Sequence, residues 1–150
     1  MTRSSIGATV WHTYPVGMER RLAAILSADV QGYSRLMYED ETATIRTLTA
    51  YRGLMASLIH QYRGRVVDDP GDNLLAEFPS VVEALRCASE VQAALHKQNE
   101  SIPDDQRMRF RIGVNLGDVI EQEDGTIYGD GVNVAARLQE LSEPGGICVS

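Results

Sequence analysis

The sequence predicts an α+β fold, a ferredoxin-like βαββαβ sandwich with additional strands and a helix. Three observations predict it. Apolar runs of strand length are separated by two long stretches whose apolar residues recur at helical spacing. A Pro-Gly turn, Asp69-Pro70-Gly71-Asp72, joins two short runs into a hairpin between those stretches. The full order reads β-α-β-β-α-β-β-α-β, two β-α-β halves around hairpins, with no internal repeat or low-complexity tract.

Residues 1–18 are rich in Ser, Thr and Gly without pattern and predict a flexible arm, leaving 19–150 as one domain. Arg21 to Val30 reads as a buried strand, since LAAIL is too short for a helix and ends near the Gly32 turn. Ser34 to Tyr62 reads as helical, with Ile45, Leu48, Leu54, Met55, Leu58 and Ile59 on one stripe. Glu39, Asp40 and Glu41 suit a helix start, so a short helix followed by a long one fits equally. Gly64 ends the stretch, and Arg65–Asp68 and Leu74–Phe78 form the hairpin. Val81 to His96 is a second amphipathic helix with Val81, Ala84, Leu85, Ala88, Val91 and Leu95 inward. Met108 to Leu116 alternates, Phe110, Ile112 and Val114 against Arg109, Arg111 and Gly113, as a half-buried strand does. Gly117 is expected to break it, with Asp118–Glu121 beginning another strand. Gly131–Leu141 is a third helix, and Gly146–Ser150 opens a last strand.

Bulk properties exclude several functions. The chain has 150 residues, 43% hydrophobic and 23% charged, the balance of an ordinary globular domain able to bury a core. A formal charge of −7 argues against a nucleic-acid-binding surface. Two cysteines, Cys87 and Cys148, are too few for a disulfide framework and read as small core residues. No apolar run approaches membrane-span length, and the start lacks the apolar core of a secretory signal, so a cytoplasmic protein without direct membrane insertion is expected. His12, His60 and His96 are scattered without metal-ligand spacing. Neither a G-x-x-x-x-G-K-[ST] loop nor a G-x-S-x-G elbow is present, against a P-loop NTPase or an α/β-hydrolase.

Three segments carry chemistry. Asp29 ends a buried strand ahead of the turn Gln31-Gly32-Tyr33-Ser34, where a carboxylate can hold a cation while backbone N–H groups face phosphate. Alone, Asp29 also reads as a helix N-cap and Asp72 as plain turn chemistry. Side by side, two carboxylates repel unless a cation neutralises them, and Mg²⁺ takes few protein carboxylates, leaving room for phosphate oxygens. Asn133 and Arg137, at i and i+4, share a helix face, and the Arg fork suits phosphoryl charge. Alone, Arg137 also reads as a structural Arg on a solvated face.

Together these segments resemble the class III adenylate/guanylate cyclase catalytic domain. The matching features are Ala28-Asp29-Val30 with Gly32-Tyr33-Ser34, Gly71-Asp72 with Ala76 and Phe78, and Gly131 with Val132-Asn133 and Ala135-Ala136-Arg137. Gly113 to Gly117 is similar to the family's I-G-x-x-x-G strand. The resemblance runs from about Glu19 to Ser150. It implies a nucleotide cyclase type of fold and conversion of ATP, less so GTP, to the 3′,5′-cyclic nucleotide and pyrophosphate. It implies Asp29 and Asp72 as ligands of two Mg²⁺ or Mn²⁺ ions with the Val30 carbonyl, and Gln31, Gly32, Tyr33 and Ser34 on the phosphates. Asn133 would orient the ribose and Arg137 stabilise the transition state, donated by the partner in a head-to-tail homodimer. Asp68 and Thr126 stand at the base-reading positions, where the family usually has Lys and Asp. The family's domain continues past Ser150 to a Lys that binds triphosphate, so the chain is expected to be C-terminally incomplete. These departures motivate an alternative from another class, a catalytically silent cyclase-homology module that dimerises and binds nucleotide. A polymerase-like palm shares the two-carboxylate logic, but the chain has no G-G-[DE]-E-F hairpin.

Overall fold

The computed structural model describes residues 19–150; the expected arm over 1–18 lies outside them. Strand β1 (Glu19–Val30) spans twelve residues, starting before the apolar run because it pairs along its whole length with a later strand. Its two faces serve two cores. Ala24, Leu26, Ala28 and Val30 pack into the larger cluster, and Ala23 and Ile25 into a smaller one.

The helical stretch is divided. Helix α1 (Tyr33–Glu39) stops where Asp40 turns extended, and α2 (Glu41–Gln61) begins with the Asp40 side chain accepting from the Ala43 N–H at 3.1 Å. The α2 stripe is Thr44, Leu48, Tyr51, Met55 and Ile59, whereas Ile45, expected inward, is 47% exposed. Thr44 can take the buried position because its hydroxyl donates to the Leu36 carbonyl at 2.8 Å. At the end of α2 it is Arg63, not Gly64, that adopts positive φ. Gly64 is required for a different reason: a Cβ there would lie 2.6 Å from the Phe78 ring.

Strands β2 (Arg65–Asp68) and β3 (Leu74–Phe78) form the hairpin, and α3 (Val81–Asn99) buries Ala84, Cys87, Ala88, Val91, Leu95 and Asn99. Ser80 caps α3 on the Glu83 N–H at 3.2 Å. A short 3₁₀ turn, Asp104–Gln106, precedes β4 (Phe110–Glu121). β5 (Ile127–Tyr128) follows the Gly125 turn as an element that sequence pattern did not mark. Helix α4 (Asp130–Leu141) and β6 (Ile147–Val149) complete the domain. The sheet order is β2-β3-β1-β4-β5, antiparallel throughout, with β6 parallel to β4. Reduced to β1–β4, this is the ferredoxin-like order, each β-α-β unit split by an inserted strand. Helices α2 and α3 cover one sheet face and α4 part of the other.

β4 is not broken at Gly117. It runs unbroken for twelve residues, and its glycines admit α4. A Cβ on Gly117 would sit 2.9 Å from the Gly131 Cα, and one on Gly113 only 2.3 Å from both the Ala135 carbonyl and the Gln139 nitrogen. Gly113→Ala is expected to cost roughly 2–3 kcal/mol, because backbone on both sides must move, and to lower Tm by on the order of 10 °C in thermal unfolding. An unchanged Tm would refute the close seating of α4. Among the described residues no helix is long and apolar enough to cross a membrane.

Candidate active site

The β2–β3 hairpin delivers its tip to the end of β1. The Val30 N–H donates to Asp72 Oδ2 at 3.0 Å, so Asp72 is fastened beside the residue that follows Asp29. Arg52 of α2 braces the tip from behind, donating to the Gly71 carbonyl and, at 3.0 Å, to the Asn73 carbonyl. Asp29 is not a helix N-cap; the cap of α1 is Gly32, three residues on, with no side-chain bond. Asp29 lies in β1 opposite Arg111 of β4, whose Nε and Nη2 reach its two oxygens at 3.0 and 2.6 Å. These hydrogen bonds raise the Arg111 pKa above its ordinary value, with partial burial opposing. The Asp29 side chain is only 15% exposed, so this fork is a principal neighbour of the carboxylate.

After β1 the chain turns sharply. The Gln31 N–H closes the sheet by donating to the Arg109 carbonyl at 2.8 Å, which removes it as an anion donor. Gly32 takes φ 67°, ψ 33°, and α1 starts at Tyr33. The N–H groups at Gly32, Tyr33 and Ser34 precede the first intrahelical bond, Leu36 N–H to the Gly32 carbonyl at 3.1 Å. Gln31, Gly32 and Ser34 are exposed and Tyr33 half-buried.

Asn133 and Arg137 lie elsewhere. α4 turns Gly131, Ala135 and Gln139 to the sheet, Gln139 accepting from the Ser27 hydroxyl at 2.8 Å. Asn133 and Arg137 are on the opposite side, both exposed, pointing away from the sheet that carries Asp29. One chain therefore does not gather all four side chains at one point.

Asp68 and Thr126 stand to either side of β1: Asp68 pairs with Leu75, itself opposite Ser27 and so near Asp29, whereas Thr126 precedes Ile127, which pairs with Glu121 opposite the start of β1. A bulge between Val66 and Asp68 sets Val67 and Asp68 against the single residue Leu75, and Val67 and Leu75 pack on the α4 side. Asp68 is exposed, accepting only from the next residue's N–H at 2.9 Å. Thr126 is half-buried in the turn before β5, its N–H donating to Asp124 Oδ1 at 2.9 Å. Arg65 ties the two segments together, its Nη2 donating to the Gly125 carbonyl at 3.2 Å. A cavity of about 460 Å³ between the α1–α2 elbow and the segment before β4 is lined by none of these residues.

With this geometry in place, the comparisons with known proteins decide the family. The model of the adenylate and guanylate cyclase catalytic domain matches residues 19–150. The chain belongs to this family. A Rhizobium meliloti (strain 1021) protein named "Putative adenylate cyclase 3" is 46% identical over 134 residues, covering 89% of this chain and 23% of that protein. An adenylate cyclase of Anabaena cylindrica is 30% identical over 145 residues, covering 84% of this chain and 28% of its own. The cyclase domain thus spans about a quarter of the length of these curated relatives. The crystal structure of an adenylate/guanylate cyclase/hydrolase from Silicibacter pomeroyi superposes with a TM-score of 0.80 at 48% identity, covering 88% of this chain and 76% of that one.

The donor set of this cyclase domain fits a hard divalent cation. Asp29 and Asp72 offer carboxylate oxygens on adjacent elements, with no thiolate or imidazole in the set. Among the described residues no group of three or more His, Cys, Asp or Glu could hold a metal, so a cation at Asp29 and Asp72 would need further oxygens from water or phosphate.

Pattern reading passed over Arg52 and Arg111. Arg52 gives no sequence signal, being one basic residue on a long helix. Arg111 had one: it is on the polar side of an alternating strand, and pairing that strand with the first places it opposite Asp29.

A second ionic group stabilises the opposite end of the sheet, toward the start of β1. Arg21 of β1 contacts Glu77 of β3 at 2.7 Å and Glu121 of β4 at 2.5 Å, and Arg65 of β2 reaches Glu77 at 2.5 Å. Burial alone would raise the Glu77 pKa, but the hydrogen bonds from Arg21 and Arg65 outweigh it and hold it below its ordinary value. A depressed carboxylate stabilises the fold fully above the ordinary value of 4.5 and ceases to as pH falls through its folded value. Urea denaturation across acid pH is therefore expected to show stability falling below about 4.5, with a flatter profile in Glu77→Gln. Equal slopes would remove Glu77 from the cause.

Proposed function

We propose that the cyclase domain converts ATP, in preference to GTP, to the 3′,5′-cyclic nucleotide and pyrophosphate, in sites shared by two copies arranged head to tail. The observation that carries this reading is Asp72 fastened to the Val30 amide beside Asp29, while the Asn133 and Arg137 side chains have no partner among the described residues and stand on the outer side of α4. A second copy is the simplest supplier of the missing half of each site, and a symmetric pair would have two.

In this reading Asp29, Asp72 and the Val30 carbonyl hold the cations, and the N–H groups at Gly32, Tyr33 and Ser34 receive the triphosphate. Bound Mg²⁺ or Mn²⁺, two ions per site, would neutralise phosphate charge and lower the pKa of the ribose hydroxyl. Asn133 of one copy orients the ribose, and the Arg137 fork meets charge that grows on the α-phosphate as the 3′-oxygen attacks in line and pyrophosphate leaves. Direct attack needs no covalent intermediate, which suits a site without a nucleophilic Ser, Cys or His. Asp68 can accept from the adenine amino group, and Thr126 can donate or accept. The names of the two curated relatives support ATP. Dependence on ATP fits a cytoplasmic setting.

The test is cyclic-nucleotide production from ATP and from GTP with Mn²⁺ and then Mg²⁺. Cyclic AMP in excess of cyclic GMP is expected. Tight nucleotide binding without product from either would replace this reading with a silent, nucleotide-binding dimerisation module.

A further inference from the structure

Asp29 is already engaged before any cation arrives. The Arg111 guanidinium takes both of its oxygens, through Nε at 3.0 Å and Nη2 at 2.6 Å, from directly across the β1–β4 pairing. Both partners are partly buried, 15% exposed for Asp29 and 24% for Arg111, so the fork is shielded from competing water. Asp72 and Glu140 of α4 also act on Arg111 through charge, so this one cation sits among three carboxylates. Asp72, by contrast, accepts from a neutral backbone amide and keeps its charge uncompensated by any ion pair among the described residues.

We propose that Arg111 is a resident counter-ion that competes with the divalent cation for Asp29 and so sets the cation concentration at which the site fills. The inference rests on the reading of Asp29 and Asp72 as the cation ligands. A carboxylate gripped on both oxygens must turn, or shed one N–H, before it can coordinate an ion. The guanidinium also lowers the net negative charge that attracts the ion and lies within a few ångströms of where the ion would sit. Displacement of the fork is thus part of cation binding, and Arg111 acts as a positioning residue through Asp29. A merely structural salt bridge would behave in the opposite sense, since its loss would loosen Asp29 and weaken the site.

The experiment is direct Mn²⁺ binding to the chain, read by electron paramagnetic resonance without nucleotide, for wild type, Arg111→Gln, Arg111→Lys and Asp72→Ala. Arg111→Gln is expected to bind Mn²⁺ about tenfold more tightly while unfolding at lower temperature in the absence of metal. Arg111→Lys, which keeps charge but loses the fork, is expected to fall between. Equal or weaker Mn²⁺ binding by Arg111→Gln overturns the proposal while leaving the ligand assignment intact. Equal binding by wild type and Asp72→Ala overturns both. A crystal of the wild-type chain soaked in Mn²⁺ needs no variant to fold: Asp29 swung off the fork is the expected result, and an intact fork beside a bound ion refutes displacement.

Discussion

Asp72→Ala is expected to lower cyclic-nucleotide formation at least about a thousandfold, because the residue serves two purposes that substitution can separate. It presents a carboxylate beside Asp29, and it accepts the Val30 N–H that fastens the hairpin tip to β1. Asp72→Asn keeps an acceptor for Val30 and gives up only the charge. The asparagine variant is therefore expected to be as inactive as alanine while keeping the wild-type Tm. The alanine variant should also unfold earlier, having left a partly buried N–H without its partner. Activity in Asp72→Asn near the wild-type level would show that charge at this position is not needed, and the cation reading would fall with it.

Arg137→Ala and Asp72→Asn, each inactive alone, are expected to regain activity when mixed. Arg137→Ala should lose about 10²–10³ in kcat if the guanidinium meets charge only in the transition state. Random pairing of the two variants makes half of the dimers mixed, each with one intact and one doubly defective site, so recovery should reach about a quarter of the wild-type rate. The geometry gives this result its force: Arg137 projects from the side of α4 opposite Ala135 and Gln139, away from the sheet bearing Asp29. No recovery across a range of protein concentrations would mean that each chain works alone, and that Arg137 reaches its own Asp29 by a rearrangement of α4.

The order of elements was legible because it rests on periodicity, and periodicity survives in the bare sequence. The helical stretch with Leu48, Met55 and Ile59, and the alternation of Phe110, Ile112 and Val114, mark buried faces that the fold uses. The errors came where tertiary contact assigns a residue its purpose. Gly117 carries the ordinary signal of a strand breaker, yet it is small because Gly131 of a distant helix presses on it. Ile45 fits the apolar stripe, but Thr44 is buried instead, since its hydroxyl finds the Leu36 carbonyl eight residues back. The approach of Asp72 to β1 follows from strand order and a Pro-Gly tip. The Arg111 fork does not, because it depends on the pairing register of two strands eighty residues apart. The shared face of Asn133 and Arg137 was legible from their spacing alone. That this face looks outward was not, because it depends on glycines in β4.

The two thiols of the chain are unequal. Cys87 is sealed within α3, where burial pushes its thiol up to about 12, and it will remain inert to alkylating reagents in the folded state. Cys148 is half-open on β6, beside Gly113. A maleimide spin label should therefore find one address per chain without mutagenesis. The label-to-label distance would then report how two copies are arranged, independently of any enzymatic assay.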